Sequence, residues 1–124
     1  METHERRGAA AESLAADYLR TQGLAVLARN LRCNMGELDI VCLDREVLVI
    51  VEVRQRACAA YGDSLASVTR RKQCRLIRAA RFHCQRDPAW RDRVVRFDVI
   101  GLDGVISRDG APALTWIKDA FREN

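Results

Sequence analysis

The stretch Gly36 to Arg56, GELDIVCLDREVLVIVEVRQR, constrains this chain more than any other. Two apolar runs flank Asp44-Arg45-Glu46, which is the pattern of a β-hairpin. The second run, Val47 to Val53, is rich in β-branched residues and suits a central strand. Ile40, Val49, Ile50, Val51 and Val53 leave little room for either strand to lie at a surface. Yet carboxylates interrupt both runs, Glu37 and Asp39 in the first and Glu52 in the second. Side chains alternate along a strand. Glu37, Asp39 and Val41 are therefore expected on one face of the first strand. Leu48, Ile50, Glu52, Arg54 and Arg56 share a face of the second. If Arg45 and Glu46 form a two-residue loop, Asp39 faces Glu52 and Glu37 faces Arg54. This register rests on the apolar pattern, since the turn carries no Asn-Gly or Asp-Gly. Directly opposed residues have Cβ atoms about 4.5–5.5 Å apart. Two carboxylates that close repel unless a proton or a cation lies between them. Their oxygens suit a hard ion such as Mg²⁺, which takes one or two carboxylates and keeps several waters. The plainer alternative is a solvated polar face on an edge hairpin, because exposed Asp and Glu are ordinary.

Before the hairpin, Arg6 to Gln22 reads as a helix closed by Gly23. Ala11, Leu14, Ala15, Tyr18 and Leu19 form its apolar face, with Glu12 at the margin. Leu24 to Ala28 follows as a short first strand, and Arg29-Asn30-Leu31-Arg32 leads into the hairpin. Ala57 to Leu65 has no clear period and reads as a loop. A second helix is expected from Val68 or Thr69 to about Gln85, with Thr69 as its N-cap. Cys74, Ile77, Ala80 and Cys84 fall at helical spacing on it. Arg70, Arg71, Lys72, Arg75, Arg78, Arg81 and Arg86 make it the densest positive charge in the chain. Such a face is ordinarily just solvated. Beside the carboxylate hairpin it would hold a nucleic-acid backbone against the site. Asp87-Pro88 ends the helix. Arg93 to Ile100 alternates imperfectly and reads as a further strand, with Arg96 and Asp98 on one face. Gly101 to Gly104 reads as a turn and Val105 to Ser107 as a short edge strand. Leu114 to Phe121 offers packing anchors in Trp116, Ile117, Ala120 and Phe121.

The 124 residues suffice for one domain, 48% hydrophobic and 31% charged. No apolar run approaches the roughly 18–20 residues of a membrane span. The N-terminus lacks the apolar core of a signal peptide. A cytoplasmic protein with no membrane partner is the expectation. A net charge of +4 permits a polyanionic partner without requiring one. Lys72 and Lys118 are the two lysines among 21 basic residues, and arginine favours bidentate phosphate contacts. The five cysteines, Cys33, Cys42, Cys58, Cys74 and Cys84, include no CxxC pair. Buried reduced thiols are expected there, not zinc or disulfides.

GELDIV, then VEVRQR after a short turn, resembles the PD-(D/E)XK nucleases, the restriction-endonuclease-like superfamily. The match is closest to the YraN family, a relative of archaeal Holliday-junction resolvases. The resemblance implies an α/β fold, a mixed β-sheet of four to five strands flanked by helices. In that pattern an Asp after a Gly-Glu-hydrophobic step, and a Glu two residues before a Lys, hold the metal. They carry over to Asp39 and Glu52. A helical Glu in a G-x-x-x-E-x-x-A setting, here Glu12 between Gly8 and Ala15, helps complete the metal site in resolvase relatives. The implied cofactor is Mg²⁺ or Mn²⁺, and the implied activity is phosphodiester cleavage, on branched DNA in the resolvases. RFDV resembles the family's closing core strand. Arg29, Arg32, Arg56, Arg71, Lys72 and Arg75 are the expected nucleic-acid contacts, and Lys72 matches a family Lys near the start of the second helix. A homodimer is implied as well, since two strands must be cut.

The chain departs from the pattern at one place. Arg54 stands where the motif has the lysine that orients the attacking water. Arginine is effectively never deprotonated. A mechanism needing a neutral amine fails at Arg54, and one needing only fixed positive charge survives. The departure also motivates an alternative, a nucleic-acid-binding module that kept the fold and lost the chemistry.

Overall fold

The computed structural model describes residues 4–56, 67–104 and 113–123. The chain opens with helix α1 (His4–Thr21), followed by strands β1 (Ala25–Cys33), β2 (Gly36–Asp44) and β3 (Val47–Arg56). Helix α2 (Arg70–Arg86) and strands β4 (Val95–Asp103) and β5 (Ala113–Phe121) complete it. The strands form one sheet in the order β1-β2-β3-β4-β5. Neighbours are antiparallel except β3 and β4, which run parallel. Parallel strands need a long crossover, and α2 lies in that connection. The architecture is therefore α/β, a five-stranded mixed sheet with a helix against each face.

The helices form for local reasons. α1 ends in a Schellman arrangement: the Leu24 N–H donates to the Leu19 carbonyl and the Gly23 N–H to that of Arg20. Gly23 supplies the positive φ, +91°, that this turn requires. α2 starts on the Thr69 hydroxyl, which accepts from the Lys72 N–H at 3.2 Å. The α1 face of the sheet buries Ala11, Ala15, Ala16 and Leu19 against Ile40, Cys42, Val49, Val51, Ile100 and Leu102. The α2 face buries Leu76, Ile77, Ala79 and Ala80 against Leu38, Val41, Leu48, Ile50, Phe97 and Val99. The apolar run of β3 is thus divided between two cores, as expected of a strand covered on both sides.

The β2–β3 register is the one read from the sequence. Asp44 pairs with Val47 around Arg45-Glu46, and Ile40 pairs with Val51. Arg45 takes φ +57° to make the turn. Three boundaries differ from expectation. β1 runs on to Cys33, so Arg29 to Arg32 belong to a strand paired with β2 rather than to a lead-in. Gly101 to Asp103 continue β4, because their backbone pairs with Arg54 to Arg56 on one side and with β5 on the other. The turn expected at Gly101 is not there. Leu114 to Phe121, read only as packing anchors without a period, form a strand. The readings of Ala57 to Leu65 and Val105 to Ser107 lie outside the described residues. Cys42 is fully buried and burial pushes its thiol up to about 12, which leaves it inert. Cys74 is only half-buried, and Cys33, Cys42, Cys74 and Cys84 are all free thiols. Among the described residues no helix is long and apolar enough to cross a membrane.

Candidate metal and phosphate site

The site forms where the β2–β3 ladder stops. Pairing ends at Ile40–Val51, one residue short of the carboxylates. Beyond that point the Asp39 side chain takes over, its Oδ2 accepting the Val53 N–H at 2.9 Å. The carboxylate is thereby pinned across the gap between the strands. Strict alternation also fails here. Leu38 packs in the same core as Val41, on the face opposite Ile40 and Cys42, whose parity it shares.

Three elements bring acid to this gap. A carboxylate oxygen from each of Glu12 on α1 and Glu37 and Asp39 on β2 lies within 4.8 Å of the others. Glu52 on β3 is near enough for its charge to act on Asp39 and is 4% exposed. Its Oε1 is 3.1 Å from Lys72 Nζ and 3.9 Å from an Arg54 guanidinium nitrogen. A cleft of about 280 Å³ opens over the group, lined by Met35, Gly36, Glu37, Asp39, Glu52, Lys72, Arg75 and Leu76.

The electrostatics are unfavourable to the charged forms. Burial, then the charge of Glu52, pushes Asp39 up to about 7, against the pull of the Val53 N–H. Burial, then the charges of Asp39 and Glu37, pushes Glu12 up to about 7. Crowded, half-desolvated carboxylates of this kind hold a proton or bind a cation. Their all-oxygen donor set suits a hard ion such as Mg²⁺ or Mn²⁺. A cation must displace those protons. Divalent-ion affinity is therefore expected to rise with pH between about 6 and 8, by up to about tenfold per pH step for each proton released, and then to level off. Calorimetry at pH 6, 7 and 8 checks this; an affinity flat over that range would mean that both groups are already ionised.

The residues singled out in the sequence are distributed as follows. Asp39, Glu52 and Glu12 are brought together. Glu37 joins them, and it was not expected as a ligand. Its predicted partner, Arg54, is not its partner: Glu37 is paired on β1, with Arg32 Nε 3.4 Å from its Oε2. The reason is the early end of the β2–β3 ladder. Arg54 instead donates from Nε to Ser67 Oγ at 3.0 Å and does not line the cleft. Arg29 turns inward, donating to Ser13 Oγ at 3.2 Å and lying 3.8 Å from Glu12. Its Nε is buried with no partner. Arg32 is exposed. Arg71, Arg75 and Arg78 form an exposed stripe along α2, and Arg75, at its middle, lines the cleft. Arg56 closes β3, its backbone paired with Asp103. Lys72, expected only as a phosphate contact, stands inside the carboxylate group.

Fold and site together define an α/β protein with a carboxylate–ammonium cluster at one end of a mixed sheet. The chain belongs to the family described as Uncharacterised protein family UPF0102, whose model matches residues 11–102. A UPF0102 protein of Pseudomonas putida (strain GB-1) is 48% identical over 116 residues, 94% of this chain and 93% of the relative. One from Nitrosococcus oceani is 43% identical over 120 residues, 97% and 94% of the two chains. One from Pseudomonas aeruginosa (strain UCBPP-PA14) is 44% identical over 122 residues, covering 97% and 95%.

Proposed function

We propose that this protein is a Mg²⁺- or Mn²⁺-dependent nuclease that cleaves phosphodiester bonds of DNA. The observation that carries the reading is the convergence of Glu37, Asp39 and Glu52 on one cleft bordered by Lys72 and Arg75, with a Glu12 carboxylate oxygen from α1 within 4.8 Å of those of Glu37 and Asp39. A solvated hairpin face would not bury Glu52 or crowd Asp39. Asp39 and Glu52, with Glu12, are the residues to hold the ion. A bound divalent ion there supplies a lowered pKa for water and neutralises charge on the phosphate. The chain's own contribution is position. Arg75 and its neighbours on α2 hold the nucleic-acid backbone by charge, so affinity should fall steeply with salt. Arg29 stabilises the Glu12 end of the cluster. The resolvase resemblance makes branched DNA the substrate to try first.

The test is a titration of Mg²⁺ and Mn²⁺ by calorimetry, with and without DNA, followed by cleavage assays on branched and linear duplexes. Binding and cleavage that both disappear in Glu52→Ala support the reading. Unchanged cleavage in Asp39→Ala and Glu52→Ala would end it. One observation favours a second reading, a binding module without turnover: Arg54 holds the position of the motif lysine. That reading predicts salt-sensitive DNA binding and no cleavage at any divalent-ion concentration.

A further inference from the structure

The position of Arg54 is the weak point of the nuclease reading, and the structure supplies an amine from elsewhere. We infer that Lys72, reaching over from α2 to Glu52 and the cleft, supplies the ammonium that orients the attacking water and the scissile phosphate. The inference rests on the proposed nuclease function and completes its site.

Four observations carry it. Lys72 Nζ contacts Glu52 Oε1 at 3.1 Å, the same oxygen that the Arg54 guanidinium approaches only to 3.9 Å. Lys72 lines the cleft, whereas Arg54 does not. Arg54 Nε is committed to Ser67 Oγ at 3.0 Å. The Lys72 backbone is fixed, because its N–H donates to the Thr69 cap in the first turn of α2. An ammonium has three donors. One is used on Glu52, and that contact sets the other two beside the carboxylate that would hold the metal. A guanidinium is a wide, rigid fork, while an ammonium is compact and fits beside a small ion and its waters. This chain has two lysines, and the other, Lys118, lies over the Trp116 ring on β5.

In the step itself, the water oxygen bonds to phosphorus and one P–O ester bond breaks. The water proton goes to solvent, and the leaving oxygen takes a proton from solvent. Lys72 stays protonated throughout. It holds the water and a phosphate oxygen by hydrogen bonds and offsets developing negative charge, the kind of preorganised contact whose loss costs roughly 10²–10³-fold in turnover.

The experiment compares the wild type with Lys72→Ala, Lys72→Met, and the double variant Lys72→Ala/Arg54→Lys. Cleavage of DNA with Mn²⁺ should fall about 10²–10³-fold in both single variants, with the Michaelis constant for DNA within a few-fold. Moving the amine back to β3 in the double variant should recover at least about tenfold of that loss. A merely structural lysine would give no such rescue. Thermal melts and Mn²⁺ calorimetry identify a variant that has failed to fold; Lys72→Met keeps the aliphatic stem for that reason. A second readout needs no turnover. Lysine labelled with ¹³C at Cε gives one resonance for Lys72 and one for Lys118. Mg²⁺ plus an uncleavable phosphorothioate DNA should shift the Lys72 signal and leave Lys118 in place. Full activity in a folded Lys72→Ala, or an unmoved Lys72 signal at saturating DNA, overturns the inference alone. A wild type that never cleaves overturns the nuclease reading and this inference with it.

Discussion

Asp39→Asn is expected to make the metal-free protein more stable at pH 8 while removing its divalent-ion binding. The sign follows from where the proton is held. Asp39 titrates at about 7 in the folded protein against an ordinary 3.8, chiefly because it is buried and then because Glu52 is near. The folded state therefore keeps its proton longer than the unfolded chain. Stability from this group is complete below about pH 4, is lost as pH rises through 7, and stays low above. An amide carries no charge to desolvate, and its oxygen can still accept the Val53 N–H. The gain at pH 8 should be about 1–3 kcal/mol, vanishing toward pH 4. Saturating Mn²⁺ should raise the melting temperature of the wild type and leave the variant unmoved. Turnover should fall by roughly 10³-fold or more, as for other residues central to a catalytic unit. A variant that is less stable than wild type at pH 8 would show that Asp39 is a structural carboxylate. Residues that weaken a fold to serve a site are the usual sign of function.

The opposite behaviour is expected at Asp98, a fully buried carboxylate. It is 0% exposed and accepts four hydrogen bonds from the described residues. Arg96 donates twice, from Nε at 2.9 Å and from a terminal nitrogen at 3.0 Å. The Trp116 indole N–H donates at 3.0 Å and the Asp119 N–H at 2.9 Å. These bonds tie down an irregularity in β5. Phe97 pairs with Phe121 but Val99 pairs with Ile117, so three β5 residues oppose Asp98 alone. Asp119 takes φ +53° in that bulge. Arg96 also reaches Asp44 Oδ2 at 3.1 Å and so links β4 to the β2–β3 turn. Asp98→Ala strands a partly buried guanidinium and leaves the indole N–H without its acceptor. It should cost about 3–5 kcal/mol, or about 10–20 °C in melting temperature. The loss should extend to the site. Trp116 packs edge-on against Tyr18 of α1, ring centroids 6.0 Å apart, and α1 carries Glu12. A thermal melt of Asp98→Ala within about 1 kcal/mol of wild type would show that this network is dispensable.

Much of the site was legible in the sequence because it is written on a hairpin. A two-residue loop and a period of two fix which residues face each other, and the register from Ile40 to Val51 follows from the apolar pattern alone. The α1 face and the Thr69 cap were equally readable, being matters of spacing and local hydrogen bonding. What only the tertiary structure decided lies where distant segments meet. No local rule predicts that the ladder ends at Val51, so the pairing of Glu37 with Arg32 rather than Arg54 was invisible. Lys72 could be seen as one charge on a basic helix, but which face it presents to Glu52 depends on how α2 crosses the sheet. Asp98 looked like an alternating strand residue beside Arg96, and its role depends on a bulge in a strand fifteen or more residues away. β4 ran past Gly101 because strands on both sides paired with it, which outweighs the weak strand preference of glycine. The sequence determined the elements and the chemistry available to them. The three-dimensional packing decided which carboxylates crowd together, and which cation stands beside them.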